Sequence, residues 1–292
     1  MTAPTRLDLD LMVIGAAKSG TSTLIHLLEA ANGVTPIDAE GELTYFLHDA
    51  EFERGPDEAQ RKYFGAAKHA GEVRFGKSAG LMYSPVALQR LHEDSPSVRA
   101  AAVLRDPVDR AFSAYLWARR AGAENQSFAD AIARELAGGE ISLPKPELRR
   151  YVDRGEYARH LVPARELFGA DRLQVCFLEE MRTDPYAAAN VLLAPFGRSV
   201  SAESGVSTHA NQATNVRSQR LARLIRSPGL RRGLRRVIPA RGRAAIVRGV
   251  RRFNEAGAVS EQMDEATRAL LREHFQPCND SLSELRGRAV RS

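Results

Sequence analysis

Residues 11–23 read Leu11-Met12-Val13-Ile14-Gly15-Ala16-Ala17-Lys18-Ser19-Gly20-Thr21-Ser22-Thr23. The run from Leu9 to Ile14 is apolar apart from one aspartate, which predicts a buried strand. Gly15 to Gly20 is a loop of small residues around one lysine. Leu24, Leu27, Leu28 and Ala31 then recur at helical spacing, and Asn32-Gly33 closes that helix. A strand, a small-residue loop and a helix open many nucleotide-binding α/β folds. Small residues let backbone N–H groups close around an anion, and the helix behind them adds its positive N-terminal end. Lys18, Ser19, Gly20, Thr21 and Ser22 are therefore the candidate anion-binding residues.

Outward from this stretch the pattern repeats. Ala100 to Leu104 predicts a second buried strand, ending at Arg105-Asp106-Pro107. Asp106 suits a helix cap and Pro107 a first helical turn, with Ala111, Phe112, Tyr115 and Leu116 as the apolar face. Tyr157, Leu161, Ala164 and Phe168 mark another helix, with Gly169 past its end. Leu173 to Leu178 predicts a third strand, and Asp184-Pro185 starts a helix that runs through Phe196. A late helix carries Leu270, Leu271 and Phe275 and is expected to stop before Pro277. Strands alternating with helices predict a single α/β domain over residues 1–292, with a central parallel sheet flanked by helices and a P-loop-like phosphate-binding loop.

Composition sets the outer bounds. The chain has 292 residues, 43% hydrophobic and 27% charged, which excludes wholesale disorder, a collagen and a membrane bundle. Its two cysteines, Cys176 and Cys278, make neither a disulfide framework nor a multi-cysteine zinc site, and point to a reducing compartment. Met1 to Asp10 is polar and carries two aspartates, unlike a signal peptide. The apolar run Leu11 to Ala17 is too short to span a bilayer. The expectation is a cytoplasmic protein that is not transmembrane. The net charge of +6 is unevenly placed, because Arg217 to Asn254 holds 13 arginines and no acidic residue, leaving the rest of the chain net acidic. A high isoelectric point alone therefore does not indicate a nucleic-acid binder. Pro228 and Pro239 divide the arginine-rich stretch, which reads as a helical insertion at about 217–254. Its apolar residues suit packing, and its arginines suit attraction of an anionic partner: an acidic acceptor, an acyl-carrier protein or a membrane surface.

The loop is not that of a nucleoside triphosphatase. A Walker A loop reads G-x-x-x-x-G-K-[ST]. Gly15 and Gly20 have that spacing, but Thr21 stands in the lysine position and the lysine comes earlier, at Lys18. The second strand also delivers Arg105 where a Walker B strand would deliver a metal-binding aspartate. Arginine is a fork for phosphate and repels a cation. The pattern describes an anionic nucleotide held by lysine, arginine, hydroxyls and backbone, with no metal expected.

On these residues the chain resembles the sulfotransferases that use 3′-phosphoadenosine 5′-phosphosulfate. Ile14 to Ser22 resembles the family's 5′-phosphosulfate loop, and Leu104 to Tyr115 resembles its 3′-phosphate motif. The resemblance implies that Arg105 and Ser113, eight residues on, grip the 3′-phosphate. Two further segments resemble the branch that includes heparan sulfate sulfotransferases and many bacterial relatives. Glu42-Leu43-Thr44-Tyr45-Phe46 looks like the segment carrying that branch's glutamate base. Gly76-Lys77-Ser78-Ala79 with Tyr83-Ser84-Pro85 looks like the segment carrying its second active-site lysine. Arg154 to Ala158 and Asn211 to Arg217 are family-like in flavour, and Arg217 joins the cofactor-binding set on that basis. Gly41 stands where the family commonly has lysine, Thr44 where histidine is frequent, and Ala79 where proline is usual. The C-terminal third lacks the lysine-glycine loop of the heparan sulfate enzymes.

The resemblance implies in-line sulfuryl transfer to a small-molecule, lipid or glycan acceptor, on a hydroxyl in preference to an amine. Lys18, with Lys77 as second candidate, would neutralise charge on the leaving oxygen, and Glu42 would take the acceptor's proton. His48 is the nearest rival base; His26, His69, His92, His160, His209 and His274 stand in no motif. Two other functions remain open at this point: a nucleotide or small-molecule kinase using ATP and Mg²⁺, and a non-catalytic protein that holds nucleic acid or membrane through the arginine stretch.

Overall fold

A computed structural model describes residues 6–37, 41–65, 68–139, 150–202, 214–216, 255–258 and 261–289. Five strands form one parallel sheet: β1 (Leu11–Gly15), β2 (Val34–Pro36), β3 (Val73–Lys77), β4 (Arg99–Leu104) and β5 (Leu173–Phe177), in the order β2-β3-β1-β4-β5. The helices that connect them are α1 (Thr21–Glu29), α2 (Asp49–Phe52), α3 (Pro56–Tyr63), α4 (Pro85–Asp94), α5 (Pro107–Arg120), α6 (Phe128–Leu136) and α7 (Tyr157–Arg172). Beyond β5 come α8 (Leu178–Thr183), α9 (Pro185–Leu193) and, late in the chain, α10 (Glu265–Ala289). The expected α/β class and parallel sheet are what the chain adopts.

Its contacts group into two compact units. The first comprises residues 1–106, 156–210 and 278–292, and it holds the sheet. Strand alternation sorts β1 onto two cores. Leu11 and Val13 join Val73, Phe75, Leu24, Leu27, Leu28 and Leu192 on the face covered by α1 and α9. Met12 and Ile14 join Leu81, Leu88, Leu91, Tyr157, Leu161 and Phe168 on the face covered by α4 and α7. The second unit comprises residues 107–155 and 211–277. Its core gathers Val108, Ala111, Tyr115, Phe128, Ile132, Tyr151, Leu271 and Phe275. It also holds an antiparallel pair, β6 (Thr214–Val216) with β7 (Glu255–Ala258). Val216 lies opposite Glu255, so the chain leaves and returns at one place around residues 217–254. The predicted arginine-rich insertion, and Arg217 with it, lie outside the described residues.

Local signals explain several boundaries. Asp184 accepts from the N–H groups of Tyr186 and Ala187, both at 3.0 Å, and Pro185 opens α9. Ser84 accepts from Ala87 N–H at 3.2 Å ahead of Pro85, so that part of the family-like segment starts α4. Gly169 breaks helical geometry at φ 66°, as its position past Phe168 suggested. One expectation fails. The last helix runs through Pro277 to Ala289. Apolar residues on both sides are buried, Leu271 and Phe275 before the proline and Leu282 after it, and that burial outweighs one lost backbone hydrogen bond. No helix among the described residues is long and apolar enough to cross a membrane.

Candidate active site

The parallel strands end along one edge of the sheet, and backbone hydrogen bonds draw four candidate segments there. Ala16 N–H donates to Val103 O at 2.8 Å, tying the loop after β1 to β4, whose end delivers Arg105. Ser78 N–H donates to Val13 O at 2.9 Å, tying the end of β3 to β1. Leu43 N–H donates to Lys77 O at 2.8 Å, which brings Glu42 alongside β3. The chain leaves β1 towards β2 and β3 on one side and returns to β4 on the other. Ligands of open α/β sheets bind at such a switch point, outside the carboxyl ends of the strands.

The loop turns tightly and packs closely on its neighbours. Lys18 and Gly20 both adopt left-handed backbone, φ 72° and 91°. A side chain at Gly15 would place Cβ 2.2 Å from Met82 Sδ, and one at Gly20 would place it 2.5 Å from Leu178 Cδ1. α1 begins with no side-chain cap and no acidic residue in its first turn, an arrangement that suits an anion at its N-terminal end. Ser19 and Thr21 are buried, Lys18 is half-buried, and Ser22 is exposed. The Ser19 hydroxyl lies 3.4 Å from the hydroxyl of Tyr157, the first residue of α7. Residue-level reading missed that contact; its one signal was the family-like run around Tyr157.

Lys77 follows Val73 and Phe75 by strand alternation, so it sits on the sheet face that α1 covers. Ser78 is fully buried, and its Oγ has no hydrogen-bond partner among the described residues. A buried hydroxyl left unsatisfied costs about 1–3 kcal/mol. Its signal in the sequence was only its place after Lys77. Glu42 is half-buried, between Gly41 and the fully buried Leu43. The residues expected around the 3′-phosphate fall in different units. Arg105, just past the end of β4, belongs to the first, and Ser113, half-buried on α5, belongs to the second.

The remaining candidates have plainer places. His48 is exposed and heads α2, its carbonyl accepting from Glu51 and Phe52 at 3.0 and 2.9 Å. His26 pairs with Glu29 on the surface, His92 packs its edge on Phe168, and His160 packs against Tyr83. His274 stacks at an angle on Phe275, and His209 lies outside the described residues. Tyr115 is core, its hydroxyl donating to Glu261 at 2.6 Å, and Cys176 is a buried strand residue. Among the described residues no group of three or more His, Cys, Asp or Glu is placed to hold a metal ion.

Comparison with known proteins adds to this geometry. A family model described as the sulfotransferase domain matches residues 8–233. The bifunctional heparan sulfate N-deacetylase/N-sulfotransferase 2 of Bos taurus is 26% identical over 191 residues, 62% of this chain and 21% of that protein. The chain thus spans only about a fifth of that relative's length. A sulfotransferase from Alicyclobacillus acidocaldarius superposes with a TM-score of 0.62 at 22% identity, covering 96% of both chains. The mouse sulfotransferase SULT7A1, solved in complex with PAP, superposes with a TM-score of 0.50 at 14% identity, covering 94% of this chain and 84% of its own. At these identities the two structures show a shared fold. The family match covers well over half of the 292 residues, and by it the chain belongs to the sulfotransferase domain family.

Proposed function

We propose that the protein moves a sulfuryl group from 3′-phosphoadenosine 5′-phosphosulfate to a hydroxyl, ahead of an amine, of a small-molecule, lipid or glycan acceptor. The observation that carries this reading is the gathering of the 15–20 loop, Lys77, Glu42 and Arg105 along one sheet edge, tied by three backbone hydrogen bonds. The site suits an oxyanion donor. Gly15 and Gly20 let the loop pack closely on Met82 and Leu178, α1 opens uncapped behind it, and the Ser78 hydroxyl lacks a partner among the described residues.

In this reading Lys18, Ser19, Gly20, Thr21 and Ser22 hold the 5′-phosphosulfate. Arg105 and Ser113 hold the 3′-phosphate, and Arg217 adds to the cofactor set. The donor supplies an activated sulfur–oxygen bond. Glu42 takes the acceptor's proton as the acceptor oxygen bonds to sulfur, and the electron pair of the broken bond stays on the 5′-phosphate oxygen. Lys18, seconded by Lys77, neutralises the charge that develops on that oxygen, where electrostatic stabilisation contributes most. The arginine-rich stretch would attract an anionic acceptor. Neither a kinase nor a non-catalytic binding role finds support in the family match, which is to sulfotransferases.

Calorimetry tests the donor assignment. Adenosine 3′,5′-bisphosphate is expected to bind about tenfold or more tightly than AMP, and Arg105→Ala to remove most of that difference while leaving AMP binding nearly unchanged. Equal affinity of the parent for both nucleotides would overturn the reading. Transfer of labelled sulfate to a metabolite panel, with mass spectrometry of the product, identifies the acceptor.

A further inference from the structure

Among the described residues, the anchors of Glu42 lie on its downstream side. Upstream, Gly41 has φ 132°, and a Cβ there would meet nothing within 4 Å among the described residues. Downstream, Leu43 is fully buried and its N–H is held on Lys77 O. The next residue, Thr44, is held by a polar cluster. Thr44 N–H donates to Tyr63 Oη at 3.2 Å, and Thr44 Oγ1 donates to Glu51 Oε2 at 2.9 Å. The Tyr63 hydroxyl donates to Glu51 Oε1 at 2.5 Å, and Lys62 Nζ donates both to that carboxylate and, at 2.9 Å, to Tyr63 Oη. One carboxylate on α2 thus takes donors from the Glu42 segment and from both of the last two residues of α3. Burial works to raise the Glu51 pKa from its ordinary 4.5, but the hydrogen bonds from Lys62, Tyr63 and Thr44 and the Lys62 charge overcome it and hold the pKa below that value. The carboxylate is therefore ionised at neutral pH.

Such a cluster is a poor way to gain stability. Tyr63 is 1% exposed, so its hydroxyl is withdrawn from water to serve this contact. Apolar residues of similar shape would stabilise about as well. A satisfied polar network instead selects one geometry, and the backbone it selects here is two residues from Glu42. We propose that Thr44, Tyr63 and Glu51 form a latch that holds the Glu42 segment against Lys77, and that they serve sulfuryl transfer as positioning residues. The proposal rests on Glu42 being the base. Thr44 stands where the family frequently has histidine, and its hydroxyl is the part of the segment that closes the latch.

The test uses the full chain and the variants Thr44→Val, Thr44→Ser and Tyr63→Phe. Three readouts are followed: hydrogen exchange at the Leu43 amide, binding of adenosine 3′,5′-bisphosphate, and transfer of labelled sulfate from saturating donor to a bacterial metabolite extract. Thr44→Val is expected to speed Leu43 exchange and to slow transfer, each by about tenfold or more, while Ser78 exchange and bisphosphate affinity stay within about twofold. Thr44→Ser, which keeps the hydroxyl, should recover both to within about threefold of the parent. Tyr63→Phe removes one hydroxyl and keeps the buried ring, so it gives the same readings if Thr44→Val does not fold. Unchanged Leu43 exchange in the folded variants overturns the latch. Faster exchange with undiminished transfer overturns its positioning role. Full transfer by Glu42→Gln would instead remove the base assignment, and the exchange result would stand apart from it.

Discussion

At the scale of single residues, the loop after β1 holds the clearest conflict between local preference and backbone conformation. Lys18 carries a side chain in left-handed backbone, φ 72°, where an ordinary residue is disfavoured by about 1–2 kcal/mol. Such strain persists where a site requires it. If Lys18 neutralises the leaving oxygen, Lys18→Ala should lower kcat by about a hundredfold or more while the affinity for adenosine 3′,5′-bisphosphate changes only a few-fold. Steady-state kinetics beside calorimetry checks this; a raised KM at unchanged kcat would make Lys18 a binding residue only. Glu42 and Lys77 were legible in the sequence solely through the resemblance, because a lone glutamate in a loop and a lysine at a strand end have no periodic signature. What joins their segments is one backbone bond, Leu43 N–H to Lys77 O, between residues far apart in the chain.

At the scale of elements, strong short-range signals were reliable. The strand at Leu11–Gly15, the one at Arg99–Leu104, and the helix opened by Asp184-Pro185 all lie where apolar runs and caps put them. Asp184→Ala removes an acceptor from two N–H groups of α9, which packs through Ala189, Leu192 and Leu193 on the core that α1 shares. It should destabilise the protein by about 1 kcal/mol, read by urea denaturation. β3 was missed. Its sequence, Val73-Arg74-Phe75-Gly76-Lys77, alternates apolar residues with an arginine and a glycine. Arg74 is nevertheless buried, beside Glu72 at 3.3 Å and over the Phe64 ring. Partners supplied by the tertiary structure make a buried arginine tolerable. The same kind of compensation carries α10 through Pro277.

At the scale of the whole molecule, buried groups tie stability to pH, and the charge of the arginine-rich stretch is expected to tie acceptor use to salt. Burial pushes the Cys176 thiol from 9.0 up to about 12, with the Glu180 charge adding to it. The folded state keeps the proton, so stability is whole below pH 9 and falls as the pH rises towards 12, where only the unfolded chain has ionised. At pH 10.5 the parent should have lost about 2 kcal/mol more than Cys176→Ala relative to pH 8, by urea denaturation. For the arginine-rich stretch, changing Arg231, Arg232, Arg235 and Arg236 to glutamine should leave bisphosphate binding nearly unchanged and weaken use of an anionic acceptor, with the difference shrinking in high salt. Equal acceptor use at low salt would dismiss the electrostatic role. What the sequence by itself determined are features written in neighbouring residues: the small-residue loop between β1 and α1, the arginine at a strand end, the α/β alternation and the helix caps. These are set by backbone preferences and apolar periods that act over a few residues. Only the tertiary structure decided the strand order β2-β3-β1-β4-β5, the burial of Arg74, the backbone pairing of Leu43 with Lys77, and the closure of Thr44 on Tyr63 and Glu51. Those pairings join distant residues whose partners leave no period in the chain, and they become favourable only once the core has excluded water around them.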